Sequence, residues 1–217
     1  MIKIGIDEAG RGPVIGPMAI GGVALDEETA IRFKKIGVKD SKLLSIRRIA
    51  ILEKVIMSEA AGYTVKTISP QEIDDRFSDH KNLNYLELDI MSEIANELKG
   101  DIVIVDSPSA NTKRVKLYLE KKINEKKIIA ENYADRDYVE VSAASILAKA
   151  RREREVEKIK GEWEYDFGSG YPSDPKTKEF LALLVKSGRI NEKKYSNHIR
   201  KTWGTIKRFK DGSLDDF

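Results

Sequence analysis

The chain has no cysteine among its 217 residues, which excludes disulfides and thiolate metal sites. Its two histidines, His80 and His198, are isolated from each other and read as structural or surface residues. Aromatic residues make up only 7%, and both tryptophans, Trp163 and Trp203, read as packing residues. No apolar run approaches the roughly 20 residues of a membrane-spanning helix. No signal peptide is evident at Met1, so a cytoplasmic location is expected. A large excess of one charge is also missing: the net charge is +3 although 35% of the residues are charged. There is no internal repeat or low-complexity tract.

The most informative stretch is Met1 to Pro17. Ile2, Ile4 and Ile6 alternate with Lys3, Gly5 and Asp7, the period-2 pattern of a half-buried strand. The strand is expected to stop at Asp7 and Glu8, because Gly10-Arg11-Gly12-Pro13 follows at once and breaks a ladder. Adjacent strand residues point to opposite faces, so the two acids converge only if the chain bends at Ala9-Gly10. Acids at a strand end suit a hard divalent cation, which prefers oxygen ligands. A solvated turn is the ordinary alternative. Gly10-Arg11-Gly12-Pro13 lacks the Gly-Lys-Ser/Thr ending of a P-loop, which argues against ATP binding.

Met18 to Leu25 reads as a second strand, paired with the first as a hairpin, and Asp26 to Lys35 as a short helix. Val38 to Lys42 is a polar loop. Ser45 caps a helix carrying Ile46, Ile49, Leu52 and Ile56 at helical spacing, which Gly62 is expected to end. Tyr63 to Ile68 alternates as a third strand, and Ser69-Pro70-Gln71-Glu72 is a capping box. Leu83, Leu86, Ile90, Met91, Ile94 and Leu98 mark a long amphipathic helix. Ile102-Val103-Ile104-Val105 is a continuous apolar run, as in a strand covered on both faces. It ends in Asp106, and sites in α/β sheets form outside the carboxyl ends of strands. After a helix from Thr112 to Lys122 and a short strand at Ile128-Ile129-Ala130, Asp135 and Asp137 precede a helix from Val141 to Lys160. Capping that helix is an alternative role for either acid. Its start, Ser142-Ala143-Ala144-Ser145, is small enough to lie close against a sheet. Lys149 is one turn beyond Ser145, placed to reach a phosphate or simply solvated.

Asp7, Glu8, Asp106 and Asp135, taken with Gly10-Arg11-Gly12, Asp40-Ser41-Lys42, Asn82-Leu83-Asn84 and Ser142-Ala143-Ala144-Ser145, resemble the type 2 ribonucleases H (ribonuclease HII), most closely the archaeal ones. The likeness runs from Ile4 to about Trp203. It implies an α/β fold: a ribonuclease H-like five-stranded mixed sheet flanked by helices, with a C-terminal helical region. The expected organisation is a catalytic core over residues 1–160, a helical substrate-binding region over 161–210 and a flexible tail over 211–217.

The resemblance further implies a metal-dependent endoribonuclease. It would cut the RNA strand of RNA-DNA hybrids, and cut 5' to single ribonucleotides embedded in duplex DNA, leaving 5'-phosphate and 3'-hydroxyl ends. Two Mg2+ or Mn2+ ions about 4 Å apart would activate water and stabilise the leaving 3'-oxygen. Asp7 would bridge the two ions, with Glu8, Asp106 and Asp135 completing their shells; Asp137 is the weaker candidate of its pair. Gly10, Arg11 and Gly12 would contact the ribose 2'-hydroxyl and the adjacent phosphate; Lys42 and Lys149 are further candidates for binding substrate. Tyr171, in Gly168-Ser169-Gly170-Tyr171-Pro172, matches the family tyrosine that stacks on the sugar beside the junction; a loop anchor is the plainer role.

Arg189, Lys193, Lys194, Arg200, Lys201, Lys207 and Arg208 face a single acid, Glu192, between Lys186 and Lys210, a basic patch suited to a phosphate backbone. Leu214 and Phe217 in the tail have the spacing of apolar anchors in sliding-clamp peptides, but Asp211 replaces the usual glutamine, and a disordered acidic tail is the competing description. A monomer is expected. Other classes remain: a junction resolvase would have no reason to carry Gly-Arg-Gly with Tyr171, and a non-catalytic nucleic-acid-binding module would not need all four acids. Type 3 ribonuclease H usually has an added N-terminal domain, for which the strand beginning at Ile2 leaves no room.

Overall fold

The alternating segment at the start of the chain becomes β1 (Lys3–Ala9), the middle strand of a five-stranded mixed sheet. This is a computed structural model that describes residues 1–39, 44–76 and 82–210. Asp40, Ser41, Lys42, His80 and residues 211–217 lie outside the described residues. The other strands are β2 (Met18–Leu25), β3 (Gly62–Ile68), β4 (Ile102–Asp106) and β5 (Lys127–Glu131), in the order β3-β2-β1-β4-β5. β1 pairs antiparallel with β2 and parallel with β4, and β4 pairs parallel with β5. The parallel register sets Ile6 opposite Val105. Asp7 and Asp106, each one residue further on, therefore lie at the same edge of the β1–β4 pair.

Contrary to expectation, β1 does not stop at its acids. It runs on to Ala9, with Asp7 opposite Gly21, Glu8 opposite Ile20 and Ala9 opposite Ala19. The reason is that nothing breaks the ladder before Gly10. Gly62 likewise does not terminate the preceding helix. α2 (Ile46–Glu59) ends at its Ala60 cap, and Gly62 opens β3.

The chain divides into two compact units. The first comprises residues 1–9, 19–67 and 82–151 and contains the whole sheet. Its helices are α1 (Glu27–Lys35), α2, α4 (Leu83–Glu97), α5 (Thr112–Glu120), the four-residue α6 (Ala134–Asp137) and the start of α7 (Val139–Trp163). Ser45 caps α2 as its sequence indicates, and Asp26 and Asn82 likewise accept from backbone N–H groups of α1 and α4. α7 and α4 lie on opposite faces of the sheet. A Cβ on Gly21 would stand 2.4 Å from the Ala144 carbonyl oxygen of α7, and one on Gly22 would stand 2.3 Å from Ile94 of α4. Only a bare α-carbon at Gly21 admits the backbone of α7 so close, and Ala143, Ala144 and Ala148 leave room from the other side. Val23, Leu25, Phe33, Ile49, Leu52, Ile56, Ile146 and Leu147 fill the layer beneath.

The second unit gathers residues 10–18, 68–81 and 152–217, three segments far apart in the sequence. Its described helices are α3 (Pro70–Asp75), the remainder of α7, α8 (Pro175–Lys186), α9 (Lys193–Ser196) and α10 (Gly204–Lys210), with a short 3-10 turn at Arg189–Asn191. The capping box at Ser69 and Glu72 opens α3. Val14 and Ile15 enter a core with Val156, Ile159, Phe167, Leu181 and Ile199. Trp163 sits in this core, 5.2 Å from the Phe180 ring and 5.1 Å from Phe167, with its indole N–H donated to the Lys194 carbonyl.

Candidate active site

At the carboxyl edge of β1 and β4, carboxylate oxygens of Asp7, Glu8 and Asp106 lie within 4.8 Å of one another. The strand does not need to turn to achieve this. Asp7 folds back so that its Oδ1 accepts the Glu8 N–H at 2.8 Å. Asp7 is buried, and the Ser145 hydroxyl of α7 donates to it. The small residues at the start of α7 thus have a second consequence beyond packing: they bring a hydroxyl to the central acid. Asp106 Oδ1 accepts the Ala134 N–H of α6 at 2.9 Å.

Burial pushes the Asp7 carboxyl well above the ordinary carboxylate range, and the neighbouring charges of Glu8 and Asp106 push it further; Ser145 and the Glu8 N–H offset this only in part. Three carboxylates this close repel one another unless a cation stands among them. An all-oxygen donor set with surplus negative charge fits a divalent metal ion of the hard class.

Asp135 is not part of that close group. It is buried on α6, one residue beyond the Ala134 that holds Asp106, and its carbonyl accepts the Ser142 hydroxyl at 2.6 Å. Asp135 and Asp137 lie just ahead of the long helix, as expected, on the separate four-residue α6; the long helix itself begins at Val139, two residues earlier than its pattern indicates. Their burial differs: Asp137 is exposed and lines a pocket with Met1, Lys3 and Lys34. Lys149 is half-buried on α7, one turn beyond Ser145.

In the second unit the Gly10-Arg11-Gly12 loop lies against Tyr171. A Cβ on Gly12 would meet the tyrosine ring at 3.4 Å. Gly10 adopts φ of +83°, with the Pro17 carbonyl and the Arg152 stem about 3 Å from where a Cβ would be, so any other residue there is both strained and crowded. Tyr171 is 37% exposed and is supported from within. The Arg152 guanidinium lies 5.1 Å from the ring centre and donates to the Ser169 carbonyl. Asp174 accepts the Ser169 N–H at 2.7 Å and its hydroxyl at 2.6 Å, and the Gly170 N–H donates to the Thr177 hydroxyl at 3.0 Å. Asp174 also caps α8.

Two residues take roles other than those expected. Arg200 does not belong to a solvated basic patch: it is fully buried and hydrogen-bonded to carbonyls of residues 10, 11 and 16. Lys193, Lys194, Lys201 and Lys207 remain exposed, and Arg189 is exposed but paired with Glu192 at 3.1 Å. Trp203 is a hydrogen-bond donor as well as a packing residue, its indole N–H reaching the Gly12 carbonyl at 3.1 Å. Arg152 was not singled out by the sequence. The only hint is an arginine at helical spacing among Val156 and Ile159, on the face that turns inward.

Similarity to known proteins agrees with this arrangement. The family model described as Ribonuclease HII matches residues 4–205. The ribonuclease HII of Archaeoglobus fulgidus is 42% identical over 216 residues, covering 100% of both chains. A crystal structure of ribonuclease H2 from Pyrococcus horikoshii superposes with a TM-score of 0.88 at 38% identity, covering 100% of both chains. A structure titled as the PCNA:RNase HII complex from Archaeoglobus fulgidus superposes at 0.85 with 41% identity, covering 94% of this chain and 95% of that one. No described helix is long and apolar enough to cross a membrane. The acids at one sheet edge, the mixed five-stranded sheet and the end-to-end similarity lead to one conclusion: the chain belongs to the ribonuclease HII family, hydrolases that act as ribonucleases H.

Proposed function

We propose that this chain hydrolyses the RNA strand of RNA-DNA hybrids and cuts on the 5' side of a single ribonucleotide embedded in duplex DNA, leaving 5'-phosphate and 3'-hydroxyl ends. The observation that carries the proposal is the convergence of Asp7, Glu8 and Asp106 within 4.8 Å at one strand edge. Asp7, Glu8 and Asp106 would hold Mg2+ or Mn2+, with Asp135 supplied from α6 and Asp7 central because it neighbours both other acids. Divalent ions bound there supply the Lewis acidity that activates water and stabilises the leaving 3'-oxygen.

The protein's own contribution is to fix the ligands before substrate arrives. The Glu8 N–H and the Ser145 hydroxyl orient Asp7, and the Ala134 N–H orients Asp106. Ligands held in this way cost little reorganisation when charge develops on the phosphate. In the chain, β1 ends at Ala9 and the loop begins at Gly10, so the cutting acids and the proposed ribose-reading loop are consecutive. Gly10 and Gly12 would present backbone to the 2'-hydroxyl, Arg11 would hold the next phosphate, and Tyr171, in contact with Gly12, would stack on the following sugar. Lys42 and Lys149 are proposed as further phosphate contacts. The test is a DNA duplex carrying one ribonucleotide, incubated with Mg2+ or with EDTA. Cleavage at that residue with Mg2+ alone is expected; an intact duplex in both would overturn the proposal.

A sliding clamp is proposed as a partner, through Leu214 and Phe217. Support comes from their spacing and from the Archaeoglobus fulgidus relative whose structure is titled as a complex with PCNA. Removing Leu214 to Phe217 is expected to weaken binding to the source organism's clamp by at least about tenfold, since two buried apolar anchors contribute more than 1.4 kcal/mol. Calorimetric titration of full-length and shortened protein measures it, and equal affinities would end the idea.

A further inference from the structure

All three backbone carbonyls of the Gly10-Arg11-Gly12 loop accept hydrogen bonds from side chains of one short C-terminal segment. Arg200 Nη2 donates to the Gly10 carbonyl at 2.6 Å and Nη1 to the Arg11 carbonyl at 2.8 Å. Trp203 Nε1 donates to the Gly12 carbonyl at 3.1 Å. The remaining guanidinium donor, Nε, takes the Gly16 carbonyl at 3.1 Å, where the loop rejoins the body of the unit. The Arg200 backbone N–H donates to the Val14 carbonyl at 2.9 Å, and its guanidinium lies 5.0 Å from the Trp203 ring centre.

The clamp is itself anchored. Asp74, at the end of α3, accepts the N–H groups of Lys201 at 2.7 Å and Thr202 at 3.1 Å. The Arg76 guanidinium lies 5.3 Å from the Trp203 ring centre. Two segments remote from the loop and from each other in sequence thus meet to hold it.

This is an expensive way to fill space. A guanidinium that is fully buried with carbonyls as its hydrogen-bond partners gives up hydration that neutral acceptors only partly replace. Burial and the nearby Arg152 charge lower its pKa to about 9. An apolar residue would fill the volume with less strain. What an apolar residue cannot do is fix three carbonyl groups. With glycines at positions 10 and 12, the loop would otherwise sample many conformations, including ones that turn carbonyl oxygens toward an incoming phosphate.

We propose that Arg200 and Trp203 are positioning residues for ribose recognition, holding the carbonyl side of the Gly10-Arg11-Gly12 loop so that its backbone meets the 2'-hydroxyl in a single, preset conformation. The proposal rests on the reading that this loop senses the 2'-hydroxyl. Its effect is on selectivity: a preset loop loses little entropy on binding the correct sugar, whereas general attraction to duplex depends on phosphate contacts elsewhere.

The test compares affinities for a duplex with one ribonucleotide and for the same all-DNA duplex, by fluorescence anisotropy with Ca2+ in place of Mg2+ to prevent cutting. Trp203→Phe keeps the ring and removes one donor. Arg200→Lys keeps the charge and loses the fork. The unaltered protein should prefer the ribonucleotide duplex. Trp203→Phe should lower that preference about tenfold, the worth of one well-placed hydrogen bond, and Arg200→Lys by more, while affinity for all-DNA duplex stays within about twofold. In Mg2+ the KM for the ribonucleotide duplex should rise more than kcat falls. In a folded Arg200→Ala protein, added guanidinium ion should restore part of the preference. A preference unchanged in Trp203→Phe and Arg200→Lys would overturn the positioning role, and the partly exposed Trp203 site keeps that outcome reachable if changes at Arg200 prevent folding. Equal affinity of the unaltered protein for both duplexes would overturn the loop reading and this proposal with it.

Discussion

Asp7→Asn is expected to abolish cleavage, by more than about a thousandfold or 4 kcal/mol, while making the metal-free protein more stable. Both effects have one origin. The Asp7 carboxyl is buried and faces Glu8 and Asp106, so its native pKa stands well above its unfolded value. The native state then binds a proton that the unfolded state releases more readily. For the metal-free protein this contribution is present in full below about pH 4, the unfolded value. It is lost as the pH rises through the raised native value. Above the unfolded value, carrying this carboxyl in its buried, acid-lined position opposes folding, and asparagine, nearly isosteric and uncharged, removes that opposition. Thermal unfolding in EDTA should show Asp7→Asn melting above the unaltered protein, by roughly 2–4 °C for each kcal/mol recovered.

Metal reverses the ranking. At about a hundred times its Kd, Mg2+ or Mn2+ should stabilise the unaltered protein by about 2.7 kcal/mol, and should shift Asp7→Asn far less. Asp135→Asn should also impair cleavage strongly, and Asp137→Asn much less, since Asp135 is buried beside the residue that holds Asp106 and Asp137 is exposed. Near-normal turnover by Asp7→Asn, or an unchanged metal-induced shift in melting temperature, would refute the assignment.

How far the sequence reveals this molecule depends on the range of the interactions involved. Local signals are faithful. The alternation of Ile2, Ile4 and Ile6, the apolar run before Asp106, the Ser69–Glu72 capping box and the cap at Ser45 all act within one turn or one strand, and each appears where its pattern says. That Asp7 and Asp106 share an edge also follows, because parallel strands end together. Long-range contacts are not legible in this way. Nothing local shows that residues 10–18 and 68–76 pack with the C-terminal third. Arg200 is the clearest case. Lysines and arginines crowd its surroundings, and composition groups it with them, yet its neighbours Ile199 and Trp203 turn inward and carry it to the loop carbonyls. The chain does bend at Gly10, which adopts φ of +83°, but the two acids already lie close within β1, where Asp7 folds its side chain onto the Glu8 N–H, an adjustment with no sequence signature.

Tyr171→Ala is expected to remove most activity on a duplex carrying a single ribonucleotide, while Tyr171→Phe keeps much of it. The ring carries the effect. It lies against Gly12, where the loop would hold the ribose, and Arg152 and the Ser169–Asp174 hydrogen bonds fix it from behind. A ring set there can stack on the sugar that follows the ribonucleotide, and a 2'-hydroxyl on that sugar would be crowded. Base–aromatic stacking contributes on the order of 1–3 kcal/mol in single-strand complexes. Realised only in the productive complex, that amounts to roughly tenfold to hundredfold in rate. Phenylalanine preserves the stacking face and its contact with the Arg152 guanidinium, whereas alanine removes both and leaves Arg152 without its cover. Duplexes with zero, one and four consecutive ribonucleotides, their products sized on a gel, separate the contributions. Tyr171→Ala should lose far more on the one-ribonucleotide duplex than on the four-ribonucleotide duplex, where several 2'-hydroxyls offer alternative registers. If the unaltered protein leaves the one-ribonucleotide duplex intact and cuts the other, a single RNA-to-DNA step is not what it reads. Recognition by the shape of the hybrid helix would then replace the sugar-stacking role of Tyr171.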